Sequence, residues 1–96
     1  MVAKKERIVL EADANDREDF DVGPEAMERA VKSRVVRMAR TGLGLSQDEF
    51  ASRFRVPVGT LRDWEQARVT PPDFAVAYAR VIAAMPEKVA EIVNAA

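Results

Sequence analysis

An all-α fold of five helices is what this chain predicts, and three observations predict it. Apolar residues recur at three- and four-residue steps in four stretches between Pro24 and Val93. Helix-start and helix-stop signals bracket those stretches. At 96 residues, 48% apolar and 32% charged, the chain has the size and composition of one small globular domain with a well-solvated surface.

The first helix is expected from Gly23-Pro24 to the Thr41-Gly42-Leu43-Gly44 stop. Pro24 suits a first helical position, and Glu25 and Glu28 favour the positive end of the helix dipole. Its apolar face is read as Ala26, Met27, Ala30, Val31, Val35, Met38 and Ala39, with Arg29, Lys32, Arg34 and Arg37 elsewhere on the wheel. Two glycines at the end allow a left-handed cap.

Ser46-Gln47-Asp48-Glu49 reads as a capping box opening a second helix that runs to about Phe54 and buries Phe50, Ala51 and Phe54. Arg55-Val56-Pro57 is a tight turn. A third helix follows over roughly Val58 to Gln66, with Leu61 and Trp64 inward. A fourth spans Asp73 to Met85, its apolar face Phe74, Ala77, Tyr78, Val81 and Ile82. Pro86 opens a fifth to about Asn94, with Val89, Ile92 and Val93 apolar.

Residues 1–22 read differently. They are polar apart from Ile8-Val9-Leu10 and too poor in apolar surface to offset their ordering entropy. A flexible acidic arm over 1–22, able to form a strand near Arg7 to Leu10 on another chain's edge, is therefore expected ahead of a domain at 23–96.

Composition excludes much chemistry. With no Cys and no His, the chain has no disulfide, no thiolate or imidazole metal site and no nucleophilic dyad or triad that needs them. No cofactor is expected. The carboxylate pairs, such as Asp48-Glu49, sit at a helix cap without a partner base, so an enzyme is not the expected reading. No apolar run reaches the length of a membrane span, and Met1 to Leu10 lacks a signal-peptide core, so a cytoplasmic soluble protein is expected.

The net charge of −1 conceals an asymmetry. Residues 1–22 carry four cations against seven anions, whereas residues 28–68 carry nine against five. Binding follows the local field of a face, so the basic middle is a candidate phosphate-facing surface despite a pI of 5.5. Arginines that merely solvate helices are the plain alternative.

Two short helices joined by a three-residue turn make a helix-turn-helix. Ala51 is small where the helices must approach, and Phe50, Phe54, Val56, Leu61 and Trp64 form the wedge between them. Val58, Gly59, Thr60, Arg62 and Asp63 are then the positions a major groove would meet.

The run Leu45-Ser46-Gln47-Asp48-Glu49-Phe50-Ala51, followed by Val56, Leu61, Trp64-Glu65 and Pro71-Pro72, resembles the phage-repressor (XRE) helix-turn-helix family. Within that family, Val56 to Gln66 resembles the HigA-type antitoxins of toxin–antitoxin operons. The resemblance covers about Val35 to Met85. It implies a phage-repressor-like domain that binds double-stranded DNA at a palindromic operator as a homodimer. It also implies autoregulation of its own operon and neutralisation of a cognate RelE-like endoribonuclease toxin, whose basic surface would suit the acidic arm. A stand-alone XRE regulator with no toxin is the alternative, and an adaptor without DNA is another.

For single residues the resemblance implies that Ser46 and Gln47 lie against a phosphate and flanking base. Pro57, Val58, Gly59 and Asp63 would face base edges. Thr60, Arg62 and Arg68 would contact phosphates, with Arg62 also long enough to reach a guanine. Gln47 as a plain surface residue and Arg62 as an ion-pair partner along its own helix stay open beside these roles. Arg40 and Glu65 match positions of a buried ion pair. Two departures stand out. Arg55 and Ala67 occupy places where the family often has Gly, and a left-handed backbone at Arg55 would cost ~1 kcal/mol. Candidate dimer surfaces are the C-terminal helices around Val81, Met85, Val89, Ile92 and Val93, or the start of the first helix.

Overall fold

The computed structural model describes residues 23–95. The 1–22 arm and its strand lie outside the described residues. Five helices follow in order: α1 (Pro24–Thr41), α2 (Gln47–Phe54), α3 (Val58–Glu65), α4 (Asp73–Ala84) and α5 (Pro86–Val93). Each boundary falls within a residue or two of the start and stop signals, because caps are chemistry local to a few residues. There is no strand among the described residues.

Helix α1 packs on α3 and α4, α2 on α3 and α5, and α4 on α5. Between them Val36, Phe50, Phe54, Leu61, Ala79, Ile82 and Val89 form one core, with Trp64 and Tyr78 packed against it. The Phe50 and Phe54 rings tilt against each other with centroids 4.9 Å apart, a favoured aromatic geometry. Polar side chains fasten the ends of the helices. Tyr78 Oη donates to the Phe54 carbonyl at 2.7 Å, closing the C-terminal end of α2, and burial raises its phenol pKa. Asn94 Nδ2 donates to the Arg53 carbonyl at 2.8 Å and ties the end of α5 to α2.

The helix faces differ from the sequence expectation. On α1 the buried residues are Ser33, Val36 and Ala39. Met27, Val31 and Met38, expected inside, are 62%, 61% and 54% exposed. Val31 and Val36 are five residues apart, about 140° around the helix, so the most apolar stripe of α1 points away from the core. Close approach decided the matter: Ser33 and Ala39 are small, and Arg40 on the same side reaches an acidic partner on α3. Helix α4 is apolar nearly all round, and the same competition buries Ala75, Ala79 and Ile82 while Phe74 is 73% exposed and Val81 is exposed. On α5 Val89 belongs to the core, whereas Ile92 is exposed.

The turn after α1 also closes differently. Gly42 is right-handed at φ −64°, and Gly44 carries the left-handed conformation at φ 71°.

Among the described residues one buried side-chain group has no hydrogen-bond partner. Ser33 Oγ is enclosed and makes no hydrogen bond. Ser33→Ala removes that orphan hydroxyl and improves helix propensity, so urea unfolding should show a gain of about 1 kcal/mol.

Candidate nucleic-acid interface

The start of α2 is set by the capping box: the Glu49 amide donates to Ser46 Oγ at 3.0 Å and the Ser46 amide to Glu49 Oε1 at 2.8 Å. The Ser46 amide, and after it the Ser46 hydroxyl, favour the ionised carboxylate and hold the Glu49 pKa below its ordinary 4.5. A depressed folded pKa adds stability that is complete above the unfolded value and lost as pH falls through the folded one. Melting temperature should therefore fall on acidification below pH 4.5. Glu49→Gln should flatten that acid limb without removing the cap geometry. A slope unchanged by the substitution would count against the box as its source.

Arg55 ends α2 with φ 62° and ψ 42°, so the turn uses a left-handed residue without being glycine. Its amide side of the turn is held by Val56 N donating to the Ala51 carbonyl at 2.9 Å. Ala67 after α3 is likewise left-handed, at φ 58°. Both departures from glycine thus leave the backbone path intact and strained. Arg55→Gly should relieve ~1–2 kcal/mol of strain and give back ~0.5–1 in unfolded-chain entropy, a net gain of roughly 0.5–1 kcal/mol in thermal or urea unfolding.

Pro57 then caps α3. Along this helix Val58, Leu61 and Glu65 lie at i, i+3 and i+7 and turn inward. Leu61 and Glu65 are buried, and Val58 is half-buried against the core. That corrects the expectation of five solvent-facing positions. Gly59 and Arg62 are exposed, whereas Val58, Thr60 and Asp63 are half-buried because the eight-residue helix rests in the angle between α1 and α2. Pro57, Ser46 and Arg68 are exposed, and Gln47 is half-buried. A Cβ at Gly59 would meet nothing within 4 Å, so this position leaves the backbone open to close approach.

Behind this face runs a polar relay. Arg40 holds Glu65 with two bonds of 2.8 Å, Nε to Oε2 and Nη2 to Oε1. The Glu65 side chain is 3% exposed and the Arg40 side chain 17%. Arg40 Nη1 also donates to the Leu45 carbonyl at 2.9 Å, and Arg37 Nη1 donates to the Glu65 carbonyl at 3.1 Å. From Glu65 the chain of contacts continues outward. Gln47 Nε2 donates to Glu65 Oε1 at 3.1 Å, and Gln47 Oε1 accepts from Arg62 Nε at 3.3 Å. Arg62 Nη2 lies 3.5 Å from Asp48 Oδ1. Arg62 therefore pairs across to α2 and not along its own helix. Gln47 is fixed between an acceptor and a donor, which leaves its amide one orientation.

Asp63 binds the loop that follows α3: its carbonyl accepts from the Arg68 amide at 2.9 Å, and its carboxylate lies 3.4 Å from Arg68 Nη1. The structure thus brings Ser46, Gln47, Gly59, Arg62, Asp63 and Arg68 to the two motif helices and the loop after them, and anchors Arg62 and Gln47 to the buried pair. Sequence reasoning missed Arg37 and the Gln47 relay. The three-residue spacing of Arg37 and Arg40 was the available signal, since it puts both guanidinium groups on neighbouring turns of α1.

Among the described residues no group of three or more acidic side chains is placed to hold a metal ion, and no helix is long and apolar enough to cross a membrane.

A short helix packed across a second, the two joined by a tight turn and the second flanked by arginines, defines a helix-turn-helix unit of the kind that presents a helix to duplex DNA. A family model described as helix-turn-helix matches residues 36–83, half of the chain. The chain belongs to this XRE-type helix-turn-helix family, whose members are DNA-binding transcription regulators. Comparison with curated proteins and with solved structures found no match.

Proposed function

We propose that the protein is a sequence-specific repressor that lays α3 in the major groove of a palindromic operator and binds there as a homodimer. The observation that carries this reading is the exposed edge of the motif. Gly59 admits close approach, and Arg62, fastened through Gln47 to the buried Arg40–Glu65 pair, is already oriented before DNA arrives. Preorganisation of that kind lowers the entropy lost on binding. Pro57, Val58, Gly59 and Asp63 would meet base edges. Ser46, Gln47, Thr60, Arg62 and Arg68 would meet phosphates. The face carries few hydrogen-bonding groups, so DNA shape contributes to its selectivity.

In the same reading residues 23–96 are the DNA-binding domain and 1–22 the partner-binding arm. Its excess of seven anions over four cations suits a basic surface. The chain would then be the antitoxin of a type II module, neutralising a RelE-like endoribonuclease and repressing its own operon. The likeness of Val56 to Gln66 to HigA-type antitoxins supports this.

Fluorescence anisotropy on the DNA upstream of the gene tests the first part. A dimer making about six phosphate contacts loses roughly a thousandfold in affinity between ~50 and ~200 mM salt. Binding that ignores salt, or that prefers the upstream DNA no more than a scrambled duplex, would sink the repressor reading. Co-expression with the adjacent reading frame tests the second part. Growth rescue and co-purification support the antitoxin role, and a gene without a toxic neighbour makes this a stand-alone regulator.

A further inference from the structure

Helix α3 carries two acidic residues with opposite fates. Glu65 is buried, whereas the Asp63 side chain is 44% exposed. Asp63 follows Gly59 by four residues, so the two stand one above the other on the same face of the helix. Gly59 leaves the backbone open to close approach, which shortens the gap that a side chain one turn later must span. An aspartate, with one methylene between backbone and carboxylate, needs that approach. On the same helix Arg62 is drawn toward α2 by Gln47 and Asp48. Asp63 is therefore the side chain of the Gly59 row that can make a directional bond.

The end of α3 then brings a cation to it. The Ala67 amide donates to the Trp64 carbonyl at 3.2 Å and the Arg68 amide to the Asp63 carbonyl at 2.9 Å, the two bonds of a Schellman closure. Its left-handed residue is Ala67, at φ 58°. The closure folds the chain back so that Arg68 Nη1 lies 3.4 Å from Asp63 Oδ1. An exposed pair of this length adds little to the fold. Stability thus gives no reason for an anion on a face that a polyanion would meet.

We propose that Asp63 selects one cytosine in each half-site, and that Arg68 is the positioning residue that orients its carboxylate and offsets its charge. The inference rests on the repressor reading above and deepens it by naming the base. An ionised carboxylate only accepts hydrogen bonds, and the donors on the floor of the major groove are cytosine N4 and adenine N6. Guanine O6 and N7 and thymine O4 are acceptors and repel it. In an A·T pair the amino group stands between two acceptors, adenine N7 and thymine O4, so the second carboxylate oxygen meets a lone pair on either side. In a G·C pair the cytosine amino group has guanine O6 on one side only and a C–H edge on the other, where that oxygen is tolerated. Arg68 keeps its remaining donors for the neighbouring phosphate.

Selection of binding sites by the full chain from a library of randomised duplexes, followed by anisotropy on the selected duplex, tests this. The wild type should fix one C·G pair in each half-site, and changing that cytosine to thymine should weaken binding about tenfold. Asp63→Ala should bind both duplexes alike while its preferences at the other pairs stay. Asp63→Asn, with an unchanged melting temperature, should move the preference at that pair to adenine, which an amide contacts through N6 and N7. Arg68→Ala should weaken the wild type more than it weakens Asp63→Asn on its own selected duplex, because the amide has no charge to offset. An equal loss in both backgrounds makes Arg68 a phosphate contact alone and overturns its positioning role. Asp63 variants that select the wild-type site unchanged, or a wild type that fixes a base other than cytosine at the pair they alter, overturn the assignment and leave the repressor standing. A wild type that enriches no sequence overturns both.

Discussion

Arg40→Ala is expected to destabilise the fold by about 3–5 kcal/mol, the largest loss of any single surface-accessible residue. The reason is the residue left behind. Glu65, with its side chain 3% exposed, would keep one acceptor bond from Gln47 and lose both charged donors. The Leu45 carbonyl would lose its partner at the entrance to α2 as well. A domain of this size has only ~5–10 kcal/mol to lose, so a large part of the population should unfold at physiological temperature. Glu65→Ala should cost less, because the remaining guanidinium is 17% exposed and can turn to water. The joint replacement Arg40→Met with Glu65→Leu should recover most of the loss, since neither charge then remains buried alone. Urea denaturation of the three variants checks the order. An Arg40→Ala loss under 1 kcal/mol would show that the relay does not support the motif.

Arg62→Ala should act on the other end of the relay, and on affinity more than on stability. Its guanidinium is about half exposed, and its contacts to Gln47 and Asp48 are long, at 3.3 and 3.5 Å. Their removal should cost the fold under ~1 kcal/mol. On DNA the same side chain is worth ~1–3 kcal/mol per half-site, and a two-fold complex loses that twice. Operator affinity should thus fall by roughly two orders of magnitude or more, with a shallower salt slope. Gly59→Glu is the companion. A Cβ there meets nothing within 4 Å and the helix gains from losing a glycine, so the domain should fold at least as well as before, yet a carboxylate would enter the groove against the phosphate field. Anisotropy titrations on the upstream DNA read both. Operator binding that tolerates both substitutions would remove α3 from the interface.

Helix boundaries were legible because their signals are compact. Ser46 and Glu49 make a cap between themselves, Pro24 and Pro86 cannot sit deep in a helix, and Pro57 must stand at an end. The wedge of Phe50, Ala51, Phe54 and Leu61 was legible for the same reason, since two short helices and one turn leave few ways to bury it. Arg40 and Glu65 were placed by resemblance to a family, and the structure supplies what resemblance lacks, a reason for the pairing in the arms of Arg37, Gln47 and Leu45 around it.

The face that α1 turns to the core was misread, and the physical cause is general. A helical wheel ranks residues by their own hydrophobicity, whereas burial is decided by which side lets another helix come close. Small Ser33 and Ala39 around Val36 admit α3 and α4, and larger Met27, Val31 and Met38 do not need to be inside for the core to close.

By itself the chain determined that it would be helical, where each helix would begin and end, and that a capped pair with a tight turn would lie at its centre. These follow from forces acting within a few residues. Only the tertiary structure decided which stripe of each helix is hidden, that Arg62 reaches α2 instead of its own helix, and that a buried carboxylate connects α1 to the exposed edge of the motif. Such contacts join residues 15 to 28 positions apart, and packing geometry alone selects them from the many pairs of matching charge.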